Sequence, residues 1–588
     1  MNKQDFYIGK AFDAYTYFGA HPTADGVVFR TYAPQAQKIA VIGDFTDWHE
    51  EEMTQDGLSG IWSLLNGNAK VGQKYKYVVY GANGRVEHCD PYGFGMELRP
   101  DFASVIRDLS FEFSDEEWMK KRSRNFGDPM NIYEIHFGSW KHKTDAKDGW
   151  YEYDELADDL IEYCHRHHFT HVEFMPLNEY PFDGSWGYQS TGYFSPTSRY
   201  GTARQLQTLI DRLHKANIGA IIDFVPAHFA TDSYGLKRFD GSELYEYPAS
   251  DVGNSEWGTC NFIYSRYEVC SFLQSAANYW LTEYHFDGIR MDAVSRLIYW
   301  MGDENRGVNP RSIEFIKRMN AGLHELHPTT MLIAEDSTAY PNVTKTVDQD
   351  GLGFDYKWDL GWMNDTLDYI MKTSEERKNL SERLTFSMYY YYNERYLLPL
   401  SHDEVVHGKR TIVDKIYGNY EEKFAQARVL YMYMMMHPGK KLNFMGNEIG
   451  MFREWDEEKE PDWFLLKYPM HDSFNKYMQE LGRIYTSTPQ LYEWDDDNQG
   501  FEWLTINENG NNVFGIKRSC GEGKPVAALF NFSDQKVHHH DKDKWVVTLN
   551  SDWEEFSGST KRPPADINVP STDGFDLAPF SALYLVME

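Results

Sequence analysis

From about residue 131 the chain alternates between short apolar runs and segments of helical spacing, eight times over roughly 350 residues, and few folds accept that pattern. The strand candidates are Asn131–Phe137, His171–Pro176, Gly219–Val225, Gly288–Ala293, Met331–Glu335, Gly353–Trp358, Tyr396–Leu400 and Lys441–Met445. Most are separated by segments such as Leu206–Ala216, Cys270–Tyr284, Ile313–Leu326 and Phe424–Met436, whose apolar residues recur every three to four positions. A strand buried on both faces shows as a continuous apolar run, and eight such strands alternating with helices is the count of a (β/α)8, or TIM, barrel. A doubly wound open sheet is the structural alternative, but it would more naturally split at a switch point. The stretch between Pro226 and Tyr267, rich in Gly and Tyr, is too long for an ordinary βα loop. It is expected as an insertion, near 226–267, on the barrel's C-terminal rim.

Both flanks change to short β-prone runs. Before the barrel these are Gly26–Tyr32, Lys38–Ile42, Ile61–Leu65 and Lys74–Tyr80, separated by turn-rich stretches such as Asn66–Asn68 and Gly81–Gly84. After it come Phe501–Ile506, Val513–Ile516, Val526–Phe530, Trp545–Leu549 and Ala582–Val586. The expected organisation is therefore multidomain α/β and β, with a β-sandwich on either side of the barrel. The N-terminal sandwich takes 1–112, a linker with one helix 113–130, the barrel 131–488 and the C-terminal sandwich 489–588. His538–His540 is internal and lacks ligand spacing, so a solvated loop is expected there rather than a metal site.

Charge narrows the ligand. With 58 Lys and Arg against 90 Asp and Glu, the net charge is −32, which repels nucleic acid phosphates and anionic lipid headgroups. A neutral, polyhydroxylated ligand meets no such cost. No apolar run approaches the ~18 residues that span a membrane, and Met1–Tyr7 has no apolar core of a signal peptide. The five cysteines (Cys89, Cys164, Cys260, Cys270, Cys520) cannot all pair and show no CxxC spacing, which suits the reducing cytoplasm. A cytoplasmic monomer that binds neither nucleic acid nor membrane is the expectation. The 17 Trp, 41 Tyr and 36 Phe must mostly fill cores, and the rest could stack on sugar rings.

The chemistry gathers where the strands end. Asp223 lies inside the third strand, with His228 just beyond it; Arg290 and Asp292 end the fourth, Glu335 ends the fifth, and His402-Asp403 follow the seventh. In a (β/α)8 barrel such positions face one mouth, where function resides. Converging carboxylates without Cys suggest either an oxygen-ligand metal site or acid/base chemistry on a glycoside. Two His and an Arg in the same mouth disfavour a hard cation and suit hydroxyl recognition, so no metal is expected.

These residues resemble a family closely. Asp223–His228, Gly288–Ala293, Ile333–Glu335 and Leu400–Glu404 are similar to the four ordered signature regions of the α-amylase superfamily. Tyr133–Trp140, Ser185–Gln189, Gly192–Gly201, His402–Lys409 and His437–Leu442 narrow the resemblance to bacterial-type 1,4-α-glucan (glycogen) branching enzymes. Ile42–Trp48 and Asp90–Tyr92 resemble the glucan-binding β-sandwich that precedes the barrel in that family. The resemblance covers essentially the whole chain. It departs at Asp336 and Tyr340, where the family often has Glu and Trp, at Tyr32, where it often has Trp, and in the shorter segment Arg296–Pro310.

The resemblance implies that Asp292 is the nucleophile, Glu335 the acid/base and Asp403 the third carboxylate. It further implies that Tyr188, Asp223, His228, Arg290 and His402 hold the glucose, Tyr188 by stacking. A retaining mechanism places nucleophile and acid/base roughly 5–5.5 Å apart. Arg290, two residues before Asp292 on one strand, would keep that carboxylate ionised. The substrate implied is an α-1,4-glucan, with no cofactor. If a glucan 6-hydroxyl resolves the covalent intermediate, an α-1,6 branch forms; if water does, the enzyme is an amylase-type hydrolase. The signature regions serve both outcomes, and only the longer strings favour branching. A catalytically inactive glucan-binding protein is the third reading, and the intact Asp292, Glu335 and Asp403 speak against it.

Overall fold

All eight expected strands are present in the computed structural model, which describes residues 1–521, 523–564 and 573–588. They are β1 (Asn131–Ile135), β2 (His171–Phe174), β3 (Gly219–Phe224), β4 (Gly288–Met291), β5 (Met331–Ala334), β6 (Tyr356–Trp358), β7 (Tyr396–Leu400) and β8 (Lys440–Phe444). They pair in chain order and close into a parallel barrel. Every residue of these strands is buried, which is why most of them read as largely apolar rather than as alternating.

The longer helices are α1 (Ala157–His167), α2 (Ala203–Lys215), α3 (Tyr267–Glu283), α4 (Pro310–Leu326), α5 (Leu360–Met371), α6 (Tyr420–Met436) and α7 (Pro469–Ser487). Their starts are written locally. Thr202 with Gln205 and Asn419 with Glu422 form reciprocal capping boxes, and Pro310 opens α4 behind the cap Asn309. Between β5 and β6 only a 3₁₀ turn, Val347–Gln349, replaces the helix, in a stretch punctuated by Pro341, Gly351 and Gly353.

The chain forms two compact units: 1–122 with 142–159 and 174–355, and 123–141 with 160–173 and 356–588. In the first, the N-terminal module comprises two antiparallel four-strand paths, one through Gly26–Tyr32 and Ile61–Asn66, the other through Lys38–Gly43 and Lys74–Gly81. Polar side chains of α3 hold the chain that leads into it. Ser271 Oγ donates to the Phe6 carbonyl, Gln274 Nε2 to that of Gly9 and Asn278 Nδ2 to that of Phe12, at 2.9, 3.1 and 2.8 Å. The insertion contains a short antiparallel pair, His228–Phe229 with Cys260–Asn261.

In the second unit, five strands form the C-terminal sheet, ordered Phe501–Thr505, Val513–Arg518, Val526–Asn531, Ser581–Met587, Trp545–Asn550. Helix α6 is buried on almost every side because this sheet covers it; Tyr433 packs edge-on to Phe530 at 5.8 Å. The His538–His540 expectation needs correcting. Val537–His539 is a strand, paired with Phe575–Leu577. His539 turns inward onto Glu508 at 2.6 Å, while His538 turns outward onto Asp576 at 2.8 Å. That pairing also brings ligand atoms of His538, His540 and Asp573 within 4.8 Å of one another, a spacing invisible along the chain. Among the described residues no helix is long and apolar enough to cross a membrane.

Candidate active site

Strands β3, β4 and β5 set the first part of the site through their register. Asp223 pairs with Arg290, and Arg290 with Ile333, so one guanidinium sits between the ends of three strands. Ladder hydrogen bonds continue one residue past the strands. The Asp292 amide donates to the Phe224 carbonyl at 3.0 Å, and the Glu335 amide to that of Met291 at 3.0 Å. Both carboxylates are therefore mounted on rigid sheet rather than on loops. Immediately after Asp292, Ala293 adopts φ of +50°, a left-handed conformation that costs a side-chain-bearing residue energy and turns the chain sharply into a short helix.

Arg290 is wholly buried and organises the cluster. Its Nη1 donates to Asp223 Oδ2 at 2.8 Å, to Asp292 Oδ1 at 3.1 Å and to the Tyr188 hydroxyl at 3.3 Å. Nη2 lies 3.8 Å from Glu335 Oε2. Burial alone would lower its pKa, but Asp223, Tyr188, Asp292 and Glu335 push it well above the ordinary arginine value. Tyr188 donates its hydroxyl to Asp223 Oδ2 at 2.5 Å. Glu335 is further oriented by the Ala293 amide, which donates to Oε2 at 2.6 Å. The side chains of Asp292 and Glu335 stay 16% and 22% exposed, against 1% for Asp223, so a ligand can reach the first two.

His228 is buried in the insertion's strand pair, its carbonyl accepting from the Tyr193 hydroxyl at 2.8 Å. Burial, with help from the charge of Arg296, lowers its pKa to about 3, so the ring is neutral near pH 7. Its Nδ1 has no hydrogen-bond partner among the described residues. Trp257 leans on it at 5.1 Å, half exposed, and the Arg296 guanidinium lies 4.3 Å from the centroid of the same ring. Arg296 is paired in turn with Glu256.

The second unit carries His402 and Asp403, one and two residues beyond Ser401 at the end of β7. His402 is clamped by Glu134 of β1: Nδ1 lies 2.5 Å from Oε1, and the His402 amide donates to Oε2 at 3.0 Å. Nε2 faces Asp403 Oδ1 at 3.4 Å. Just beyond, Lys409 pairs with Glu404 at 3.1 Å, a contact internal to the loop.

Asp223, Arg290, Asp292, Glu335 and Tyr188 thus form one contact network, His228 joins Trp257, and His402 stands with Asp403 on Glu134. Glu134 lies outside the expected site residues, although a charged residue within a fully buried strand is itself a signal. Trp257 carried no such signal, because only the insertion's path sets it against His228. Asp336, where the family pattern departs, is buried and accepts from the Thr338 amide at 3.0 Å, stabilising the turn after β5.

Comparisons with known proteins bear on this geometry. Residues 17–93 match the model of carbohydrate-binding module 48, the isoamylase N-terminal domain, and 258–547 match the α-amylase catalytic domain. The 1,4-alpha-glucan branching enzyme of Fusobacterium nucleatum is 44% identical over 575 residues, covering 95% of this chain and 93% of that protein. That of Bacillus subtilis (strain 168) is 42% identical over 571 residues, covering 94% and 91%. Among solved structures, a pullulanase from Anoxybacillus sp. LM18-11 complexed with maltotetraose aligns with a TM-score of 0.77 at 16% identity, covering 100% of this chain and 89% of that one. A putative alpha amylase from Salmonella typhimurium gives 0.74 at 17%, covering 97% and 100%. At such identities these two structures speak to the fold alone.

Proposed function

We infer the roles of the site residues from one premise: the chain belongs to the 1,4-α-glucan branching enzymes of the α-amylase superfamily. The enzyme cleaves an α-1,4 glucosidic bond and transfers the severed chain to a glucan 6-hydroxyl, forming an α-1,6 branch. The observation that carries this reading is identity above 40% over nearly the full length of several such enzymes.

In our reading, Asp292 attacks C1 of the glucose at the bond to be cut, and the C1–O4 bond breaks as Glu335 protonates O4. Glu335 Oε2 accepts the Ala293 amide, so Oε1 is the oxygen that carries the transferable proton. In the second step Glu335 takes the proton of the acceptor's 6-hydroxyl, O6 bonds to C1, and Asp292 departs. Arg290 keeps Asp292 anionic before it attacks, and stabilises the carboxylate again as it departs, through its 3.1 Å bond. Neutral His228 can both donate to and accept from a sugar hydroxyl, and its unpaired buried nitrogen supports that role. Asp223 and Tyr188, joined to each other and to Arg290, shape the floor beneath the same glucose. Asp403 and His402 are assigned to the glucose hydroxyls and to the positive charge that develops at C1.

The proposed setting is cytoplasmic and monomeric. All five cysteines are buried and no disulfide is formed among the described residues, as a reducing compartment would have it. The test is to count reducing ends after incubation with amylose, before and after a debranching enzyme. Few ends before and many after support branching; a large rise before, without further increase, would make water the acceptor.

A further inference from the structure

The clamp on His402 has a chemistry of its own. Glu134 is fully buried in β1, between Tyr133 and Ile135, and His402 is 2% exposed. A buried carboxylate is costly unless it is satisfied, and this one receives two hydrogen bonds from a single residue. One comes from the His402 amide and fixes the backbone where the chain leaves β7. The other comes from the ring. A carboxylate only accepts, so the 2.5 Å contact places a proton on Nδ1 and turns Nε2 toward Asp403 Oδ1 at 3.4 Å. The ring is also wedged edge-on between Phe444 of β8 at 6.0 Å and Trp455 at 6.4 Å. Trp455 is itself tied by Nε1 to Ser139 Oγ at 3.0 Å, and Ser139 accepts or donates to His136 Nδ1 at 2.8 Å. Backbone, ring plane and tautomer of one histidine are thus all specified from outside the loop that carries it.

We propose that Glu134 is a positioning residue of the transfer reaction, holding His402 so that Nε2 alone is presented to the bound glucose. This rests on the reading of His402 as a glucose-binding residue. Glu134 itself touches no substrate; it acts through the ring.

Gln at position 134 matches Glu in shape but offers one acceptor and one donor to a residue that presents two donors, so one of the two bonds must break. The experiment is a double-mutant cycle on amylose branching, with kcat expressed per folded enzyme from parallel unfolding curves. Glu134→Gln is expected to lower kcat by ~10–100-fold, as loss of an orienting partner does elsewhere. In the His402→Ala background the same substitution is expected to change kcat by less than about 3-fold, because there is no ring left to orient. An equal loss in both backgrounds would make Glu134 merely structural and overturn the proposal, as would full kcat in Glu134→Gln or in His402→Ala alone. If Glu134→Gln does not fold, Glu134→Asp, which draws the acceptor back by one methylene, enters the same cycle. Debranching the parent enzyme's product tests the branching reading separately, so that reading can fail while the cycle is still read on whatever glucan product forms.

Discussion

Replacing His214 by Gln should remove a specific slope in the dependence of stability on pH. His214 lies buried on α2 between two aspartates: Nδ1 is 2.7 Å from Asp115 Oδ2 in the linker, and Nε2 is 2.9 Å from Asp287 Oδ2 just before β4. Burial alone would lower its pKa, but Asp287 and Asp115 together raise it from 6.5 to about 9. Both aspartates are in turn driven below the usual carboxylate range, against the opposing push of burial, Asp115 by His214 and His285 and Asp287 by His214 with help from Arg122 and Trp118. The folded state therefore holds this proton more tightly than the unfolded chain. The stabilisation is complete below pH 6.5 and is lost as pH rises through about 9. A rise from 6.5 to about 9 corresponds to about 3 kcal/mol. Gln carries no charge and leaves Asp115 to His285, at 2.9 Å, and Asp287 to Arg122 and Trp118, at 3.4 and 2.8 Å, a loss of about 3 kcal/mol near neutral pH. Denaturant unfolding of parent and variant at pH 6.5, 7.5 and 9 reads the difference. It should shrink toward about 1 kcal/mol at the alkaline end. A difference that does not change with pH would refute the reasoning. Branching by the folded variant should survive, because the network secures the opposite ends of the strands that carry Asp223 and Arg290. Asp287 holds the Ala220 amide at 2.7 Å, at the start of β3.

Three further outcomes test the site. Asp292→Asn should lower branching by at least ~10⁴-fold without unfolding the protein, and substantial activity in a purified sample would remove Asp292 as nucleophile. Arg290→Lys cannot reproduce a fork that reaches Asp223, Asp292 and Glu335 together; a fall of ~10²–10³-fold in kcat/KM is expected, and wild-type kinetics would show that a point charge suffices. Trp257→Ala, which strips the exposed ring beside His228, should raise KM for amylose about 10-fold with little change in kcat, and an unchanged KM would place that ring outside the glucan path.

Much of this molecule is legible along the chain, and for a local reason. A barrel strand is buried on both faces, so its sequence is largely apolar and does not alternate, and the observed strands agree with those runs to within a few residues at either end. The proposed catalytic carboxylates are legible for a related reason: Asp292 and Glu335 lie at the close of the apolar runs, and each stands one residue beyond the buried strand itself. Strand alternation could not announce the pairing of Val537–His539, a three-residue strand whose partner comes more than thirty residues later.

What periodicity records is which face of an element is buried, not which residue lies across from it. Sequence by itself determined the order of the barrel, its flanking β modules and the residue types at the strand ends. Only tertiary pairing decided that one guanidinium would serve three carboxylates, since that follows from Asp223 and Ile333 both standing beside Arg290 in register. Only tertiary pairing set Glu134 against His402, 268 residues later in the chain. Glu134 lies on β1 and His402 follows β7, with β8 between those strands. Local patterning can place a charge in a buried strand; the partner that makes the charge tolerable there is supplied by strands paired across the sheet.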